Sequence, residues 1–300
     1  MNFGSGASGT AVPLRAMTGG TTTIRGNKEG IRVVVTGKGG VGKTTLVALL
    51  SHLFAREGLR VLAVDGDPQK NLAVTLGIAP NEAKQIVPVC RSPDYIREKT
   101  GASPDLSPGG LLTLNPDVGD VVDRFSVRVA PNLRLLVMGG VKQAGTGCLC
   151  PEYTLLSSIL RNIRLFSDEV ILLDTPAGLE HFGRAVADGF STAIVMADPS
   201  YNALSVARES ADLARQLGIG QVVFVVNRAA GQEDEGKIGR KVQELEEFSR
   251  LFYLPFNQEV LRIEPEVSGL LEQKSPFVNN LRILAAAITG QVDLVSSGFH

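Results

Sequence analysis

Gly37-Lys38-Gly39-Gly40-Val41-Gly42-Lys43-Thr44 follows an apolar, β-branched run from Ile31 to Val35 and leads into a helical-period stretch from about Lys43 to Arg56, closed by Gly58. The octapeptide is a complete match to G-x-x-x-x-G-K-S/T, standing between a strand and a helix as that pattern requires. Its glycines let backbone N–H groups turn inward around phosphate oxygens, and the start of the helix adds partial positive charge. Gly39, Gly40, Val41, Gly42, Lys43, Thr44 and Thr45 are therefore the expected cradle for ATP or ADP. Lys43 is placed to neutralise the β- and γ-phosphates, and the Thr44 hydroxyl is offered to Mg²⁺.

Similar apolar runs recur at Arg60 to Val64, Leu133 to Met138, Glu169 to Leu173, Ala193 to Met196 and Val222 to Val226, most of them followed by helical-period segments. Such alternation predicts an α/β fold: a single P-loop NTPase domain with a mostly parallel sheet flanked by helices. The domain is expected to span residues 29–300. Residues 1–28, rich in Gly, Ser and Thr without hydrophobic period, are expected to be a disordered lead-in. Between about 79 and 130 the rhythm breaks around Pro80, Pro88, Pro93, Pro104, Pro108 and Pro116, which predicts an irregular, partly helical insertion. Phe277 to Val295 has the pattern of an amphipathic helix; with Arg282 its only basic residue, packing on the domain is expected rather than membrane anchoring.

The 300 residues carry 30 Lys and Arg against 31 Asp and Glu, a net charge of -1 that supplies no basic field for nucleic acid. Three cysteines cannot make a disulfide framework, which fits a reducing, cytoplasmic setting. No apolar run approaches the ~18 residues of a membrane span.

Two further stretches place acids at strand ends. Val64-Asp65-Gly66-Asp67-Pro68 closes the second run, and Val170-Ile171-Leu172-Leu173-Asp174 is a buried-type strand ending in an acid, the Walker B pattern, with Asp174 expected to hold Mg²⁺ directly or through water. Thr175-Pro176-Ala177-Gly178 follows, and the Gly178 N–H can approach a γ-phosphate.

Lys38, directly after the first glycine, makes the loop resemble the deviant Walker A signature K-G-G-x-G-K-S/T of the family that includes MinD, ParA, the arsenite-efflux ATPase and the nitrogenase iron protein. The resemblance extends over most of Ile31 to Val295. It implies that Lys38 reaches across a dimer interface to the partner's nucleotide, that ATP clamps a homodimer, and that Asp67 of the D-x-D-P switch I lies beside the attacking water. It also implies that Gly178 belongs to switch II. Asn227 and Arg228, in Val225-Val226-Asn227-Arg228, resemble the family's adenine-contacting step, and Pro255-Phe256-Asn257 resembles its second base-side loop.

Gly145-Thr146-Gly147-Cys148-Leu149-Cys150-Pro151-Glu152 carries a C-x-C pair. One such pair cannot fill a tetrahedron, but two chains about a two-fold axis supply four thiolates, suited to Ni²⁺ or Zn²⁺. The segment resembles the C-x-C-P-E element of CooC-type ATPases, which support nickel insertion into carbon monoxide dehydrogenase, and Leu179 to Arg184 resembles their post-switch stretch. That implies an ATP-dependent, dimerising metallochaperone with Cys148 and Cys150 as metal ligands and a nickel enzyme as client. A MinD- or ParA-like positioning ATPase and an iron–sulfur carrier or reductase are the competing expectations. Cys90 is expected to be an incidental thiol, His181 a helix-surface or interface residue, and His52 and His300 carry no signal.

Overall fold

The computed structural model describes residues 30–101, 117–139, 150–163, 165–178, 189–230, 238 and 250–290. The expected lead-in at 1–28 lies outside them, as do Cys148, His181 and His300.

Eight strands form one sheet: β1 (Ile31–Gly37), β2 (Arg60–Asp65), β3 (Val127–Ala130), β4 (Leu133–Val137), β5 (Glu169–Asp174), β6 (Thr192–Ala197), β7 (Gln221–Ala229) and β8 (Arg250–Pro255). Their order is β3-β4-β2-β5-β1-β6-β7-β8. Every neighbouring pair is parallel except β3 with β4. Every residue of β5 and β6 is buried. Strands covered on both faces need apolar side chains on both, so they appear in sequence as continuous runs rather than alternations.

Nine helices accompany the sheet among the described residues: α1 (Lys43–Arg56), α2 (Leu72–Thr75), α3 (Pro80–Gln85), α4 (Pro93–Thr100), α5 (Val121–Phe125), α6 (Cys150–Asn162), α7 (Tyr201–Gln216), α8 (Gln258–Ile263) and α9 (Pro276–Thr289). On α7 the buried positions are Ala203, Ala207, Ser210, Ala211 and Ala214, a stripe of small side chains at helical spacing that lets the helix lie close to β6. The amphipathic helix expected at the C-terminal end is α9, begun by the Ser275 cap and Pro276 and ended by Gly290 in the left-handed conformation. It buries Phe277, Val278, Leu281, Leu284 and Ile288 against the domain, and its expected extension beyond Gly290 lies outside the described residues. No described helix is long and apolar enough to cross a membrane.

The described parts of the 79–130 stretch are more ordered than its prolines suggest. They hold α3, a 3₁₀ turn at Val89–Arg91, α4, α5 and the antiparallel edge strand β3. Tyr95 of α4 is fully buried and meets Phe125 of α5 edge-on, with ring centroids 4.8 Å apart. Its hydroxyl donates to Asp120 Oδ1 at 3.1 Å, and Asp120 also pairs with Lys99 at 2.9 Å and Arg124 at 2.9 Å. A buried ring with a satisfied hydroxyl ties the two helices together.

At the far end of the sheet Arg32 of β1 donates to the carbonyls of Leu160 at 3.1 Å, Arg161 at 3.2 Å and Ile163. A guanidinium there satisfies orphan carbonyls and opposes the negative end of the α6 dipole, anchoring the helix that starts at Cys150.

Candidate functional site: a nucleotide cradle at the carboxyl edge of the sheet

The register sets Asp174 opposite both Val35 and Asp65, so β1, β2 and β5 end together. The crevice beyond such carboxyl ends is where open parallel sheets bind ligands. The phosphate loop fills it. Gly42, at φ +96°, is the N-cap of α1, and no acidic residue occupies the first turn of that helix, so its free N–H groups are left for an anion.

Lys43 is 7% exposed, and its ammonium donates to the Lys38 carbonyl at 3.2 Å. Burial lowers its pKa, while the charges of Asp174 and Asp67 oppose that shift. Lys38 itself is exposed in the loop.

Thr44 Oγ1 donates to Asp174 Oδ2 at 2.7 Å. Asp174 Oδ1 is buried with no hydrogen-bond partner among the described residues. A buried carboxylate oxygen without a partner calls for a cation or water, and a carboxylate beside a hydroxyl is the hard-oxygen set that Mg²⁺ prefers. Thr44 and Asp174 therefore fit Mg²⁺.

Asp65 is fully buried, its Oδ1 accepting the Asp67 N–H at 3.1 Å and its Oδ2 the Leu72 N–H at 3.2 Å. Burial, reinforced by the charge of Asp174, pushes its carboxyl up to about 8. Burial likewise raises Asp174 to about 7, against the Thr44 hydrogen bond and the Lys43 charge. Asp67 is half-buried and accepts the Gln69 N–H at 2.8 Å. At Gly178 φ is +96°, and a Cβ there would meet nothing within 4 Å among the described residues, so this loop needs glycine for its backbone shape.

Asp65 yields a pH prediction. Its carboxyl ionises near 3.8 when unfolded and near 8 when folded, so folding takes up a proton between those values. Stability then falls as pH rises through that window, by up to about 1.4 kcal/mol per pH unit. In chelator-treated, nucleotide-free protein, the melting temperature of Asp65→Asn is expected to fall less steeply from about pH 5 to about pH 8 than that of wild type. Its absolute stability is lower, because an amide has one acceptor oxygen where Asp65 uses two. Equal slopes would remove Asp65 as the source.

The base side is assembled from two distant stretches. Asn227 and Arg228 from the end of β7, and Phe256 and Asn257 after β8, line a cleft with Gly42 and Thr45. The fold brings Asn227, Arg228 and Asn257, the expected base-side residues, to the loop together. Phe256, the middle residue of the Pro255-Phe256-Asn257 stretch, lines the cleft with them and is 55% exposed.

Cys150 opens α6, but its side chain, like the whole of Cys148, lies outside the described residues. Among the described residues no group of three or more His, Cys, Asp or Glu is placed to hold a metal. The Cys90 N–H donates to the Met138 carbonyl at 3.1 Å, which sets that residue beside the end of β4.

The family of CobQ/CobB/MinD/ParA nucleotide binding domains matches residues 32–277. CooC, the carbon monoxide dehydrogenase accessory protein of Rhodospirillum rubrum, is 36% identical over 230 residues, covering 77% of this chain and 85% of CooC. An uncharacterized ATP-binding protein of Methanocaldococcus jannaschii is 36% identical over 234 residues, 78% of this chain and 88% of its own. Among solved structures, the Aquifex aeolicus MinC:MinD cell division protein complex gives a TM-score of 0.62 at 20% identity, over 87% of this chain and 96% of the other. The cell division ATPase MinD of Pyrococcus furiosus gives 0.60 at 22% identity, over 88% of this chain and all of the other, and both likenesses speak for the fold alone. The chain belongs to the CobQ/CobB/MinD/ParA nucleotide-binding family, within which it is an ATPase of the CooC type.

Proposed function

We propose that this ATPase is a dimerising metallochaperone of the reducing cytoplasm, whose substrate is a metal ion, nickel in the first instance, delivered to a nickel enzyme of the carbon monoxide dehydrogenase kind. The similarity to CooC over 85% of that protein's length carries the proposal. The C-x-C-P-E sequence at Cys148 to Glu152 supports it from within the chain.

Bound ATP is held by the N–H groups of Gly39 to Thr45, with Lys43 against the β- and γ-phosphates. Thr44 and Asp174 hold Mg²⁺, which supplies charge neutralisation for the phosphoryl group being transferred. Asp67 orients the attacking water, and the exposed Lys38 stabilises the charge developing on the partner's nucleotide. Gly178 senses whether the γ-phosphate is present. Closing the dimer brings Cys148 and Cys150 of both copies together, and opening it after hydrolysis releases the cargo. A metal that binds only the closed dimer must also stabilise that dimer, so nickel and ATP strengthen one another.

The test is metal content per chain by mass spectrometry on anaerobic, nickel-loaded protein, separated by size with and without a non-hydrolysable ATP analogue. About half a metal per chain is expected in the dimer, and none in the Cys148→Ala/Cys150→Ala variant. An ATP-dependent dimer that takes up no metal would refute the cargo reading and favour a positioning ATPase. A brown protein with charge-transfer absorption would favour the iron–sulfur carrier.

A further inference from the structure

Asn227 stands at the carboxyl end of β7, 186 residues from Val41, and its side chain is already engaged before any base arrives. Its Nδ2 donates to the Val41 carbonyl at 2.9 Å, and its Oδ1 accepts the Arg228 N–H at 3.0 Å. These two partners fix the orientation of the amide. The flipped arrangement would face oxygen against the Val41 carbonyl and N–H against the Arg228 N–H.

The β7–β8 register shifts between Asn227 and Ala229, and Arg228 takes φ +61° there. Such a bulge re-aims a side chain that a regular strand would point elsewhere. The side chain it aims lies against the phosphate loop: a Cβ built on Gly42 would come within 2.7 Å of Asn227 Nδ2. Gly42 is the pivot of the site. Its φ is +96°, and its carbonyl accepts the Leu46 N–H at 2.9 Å as the first turn of α1. The preceding Val41 is fully buried, so its side chain is held by the core while its carbonyl is held by Asn227.

We infer that Asn227 is a positioning residue for the phosphate loop: through the Val41 carbonyl it holds Gly42 in the conformation from which Lys43 and Thr44 project, whether or not a base is bound. The inference deepens the ATPase assignment and rests on it. These two bonds use one N–H and one oxygen lone pair of the amide, and Asn227 lines the cleft, so a base that engages its second N–H or lone pair pulls on the group that shapes the phosphate site. Base and phosphate recognition are thereby coupled through one side chain, and a residue that only read the base would leave phosphate binding unmoved.

Inorganic tripolyphosphate, which has no base, separates the two roles. Calorimetric titration with Mg²⁺-ATP and with Mg²⁺-tripolyphosphate is expected to show Asn227→Ala weakening both by a similar factor, about tenfold, since the Val41 carbonyl loses its partner. Asn227→Asp is expected to weaken tripolyphosphate further, because a carboxylate oxygen then faces that carbonyl. Loss confined to ATP would make Asn227 a base reader and overturn the inference, as would no loss with either ligand. A wild-type protein that binds neither ligand would instead refute the nucleotide site. Hydrogen exchange on nucleotide-free protein makes the same comparison without a ligand. Amides of residues 39–44 should exchange faster in Asn227→Ala while those of β5 stay protected, and unchanged exchange in the loop would overturn the inference.

Discussion

Lys43→Ala is expected to lower ATP hydrolysis by about two to three orders of magnitude, the usual consequence of removing a preorganised group aimed at developing charge, the role proposed for Lys43. Its fold should survive with little loss, and the two outcomes together are the informative result. The ammonium is 7% exposed and its pKa is lowered by burial, so the folded chain already carries a desolvation penalty that the substitution removes. Against this, Asp174 and Asp67 lose the counter-charge that acts on them from Lys43. Asp174 responds by holding its proton to still higher pH, since Lys43 is one of the two groups favouring its ionised form. The neutral carboxyl is the cheaper buried species, which limits the net loss. Phosphate release under steady-state conditions and a thermal melt check the pair. Hydrolysis within about tenfold of wild type would mean that Lys43 does not face the phosphates.

The phosphate loop was legible because its chemistry constrains consecutive residues. A strand, a glycine turn, a lysine and a hydroxyl must follow one another to cradle phosphate, and Gly37 to Thr44 do so. The central strands were legible for a related reason, since burial on both faces leaves continuous apolar runs at β5 and β6. Two edge strands were not. In β3 all four residues are half-buried or exposed, and β8 buries only Leu254, so neither carries the pattern of a covered strand. Pro255, the first residue of the stretch that resembles a base-side loop, still belongs to β8. In the described parts of the 79–130 stretch, Tyr95 and Asp120 are partners 25 residues apart, and their hydrogen bond leaves no periodic trace. Asp65 was visible as a strand-end acid, but its burial beside Asp174 follows from the pairing of β2 with β5, which is a property of the topology. The Asn227 contact with Val41 is of the same kind.

Gly37→Ala should be the most damaging single methyl in the loop. Gly37 is the last residue of β1, at φ +144°, paired in register with Met196 of β6. A Cβ there would lie 2.2 Å from the Met196 carbonyl oxygen, a backbone atom in a fully buried neighbouring strand. No side chain can rotate away to relieve the contact, so β1 and β6 must separate or the strand end must turn. The expected loss is about 3–5 kcal/mol, the range in which backbone strain and steric overlap act together. ATP affinity should fall with it, because turning the end of β1 carries Lys38 to Val41 away from the Asn227 brace. Gly40→Ala is the control that separates strain from overlap. Gly40 also lies at positive φ, +81°, but a Cβ there would meet nothing within 4 Å among the described residues. It should cost only the left-handed conformational penalty of about 1–2 kcal/mol. Denaturant midpoints of the two variants, compared at equal slope, measure the difference. If Gly37→Ala were no worse than Gly40→Ala, the junction of β1 with the loop would be yielding rather than fixed, and the phosphate cradle would owe its shape to the Asn227 brace and the Val41 anchor instead of to the strand that precedes it.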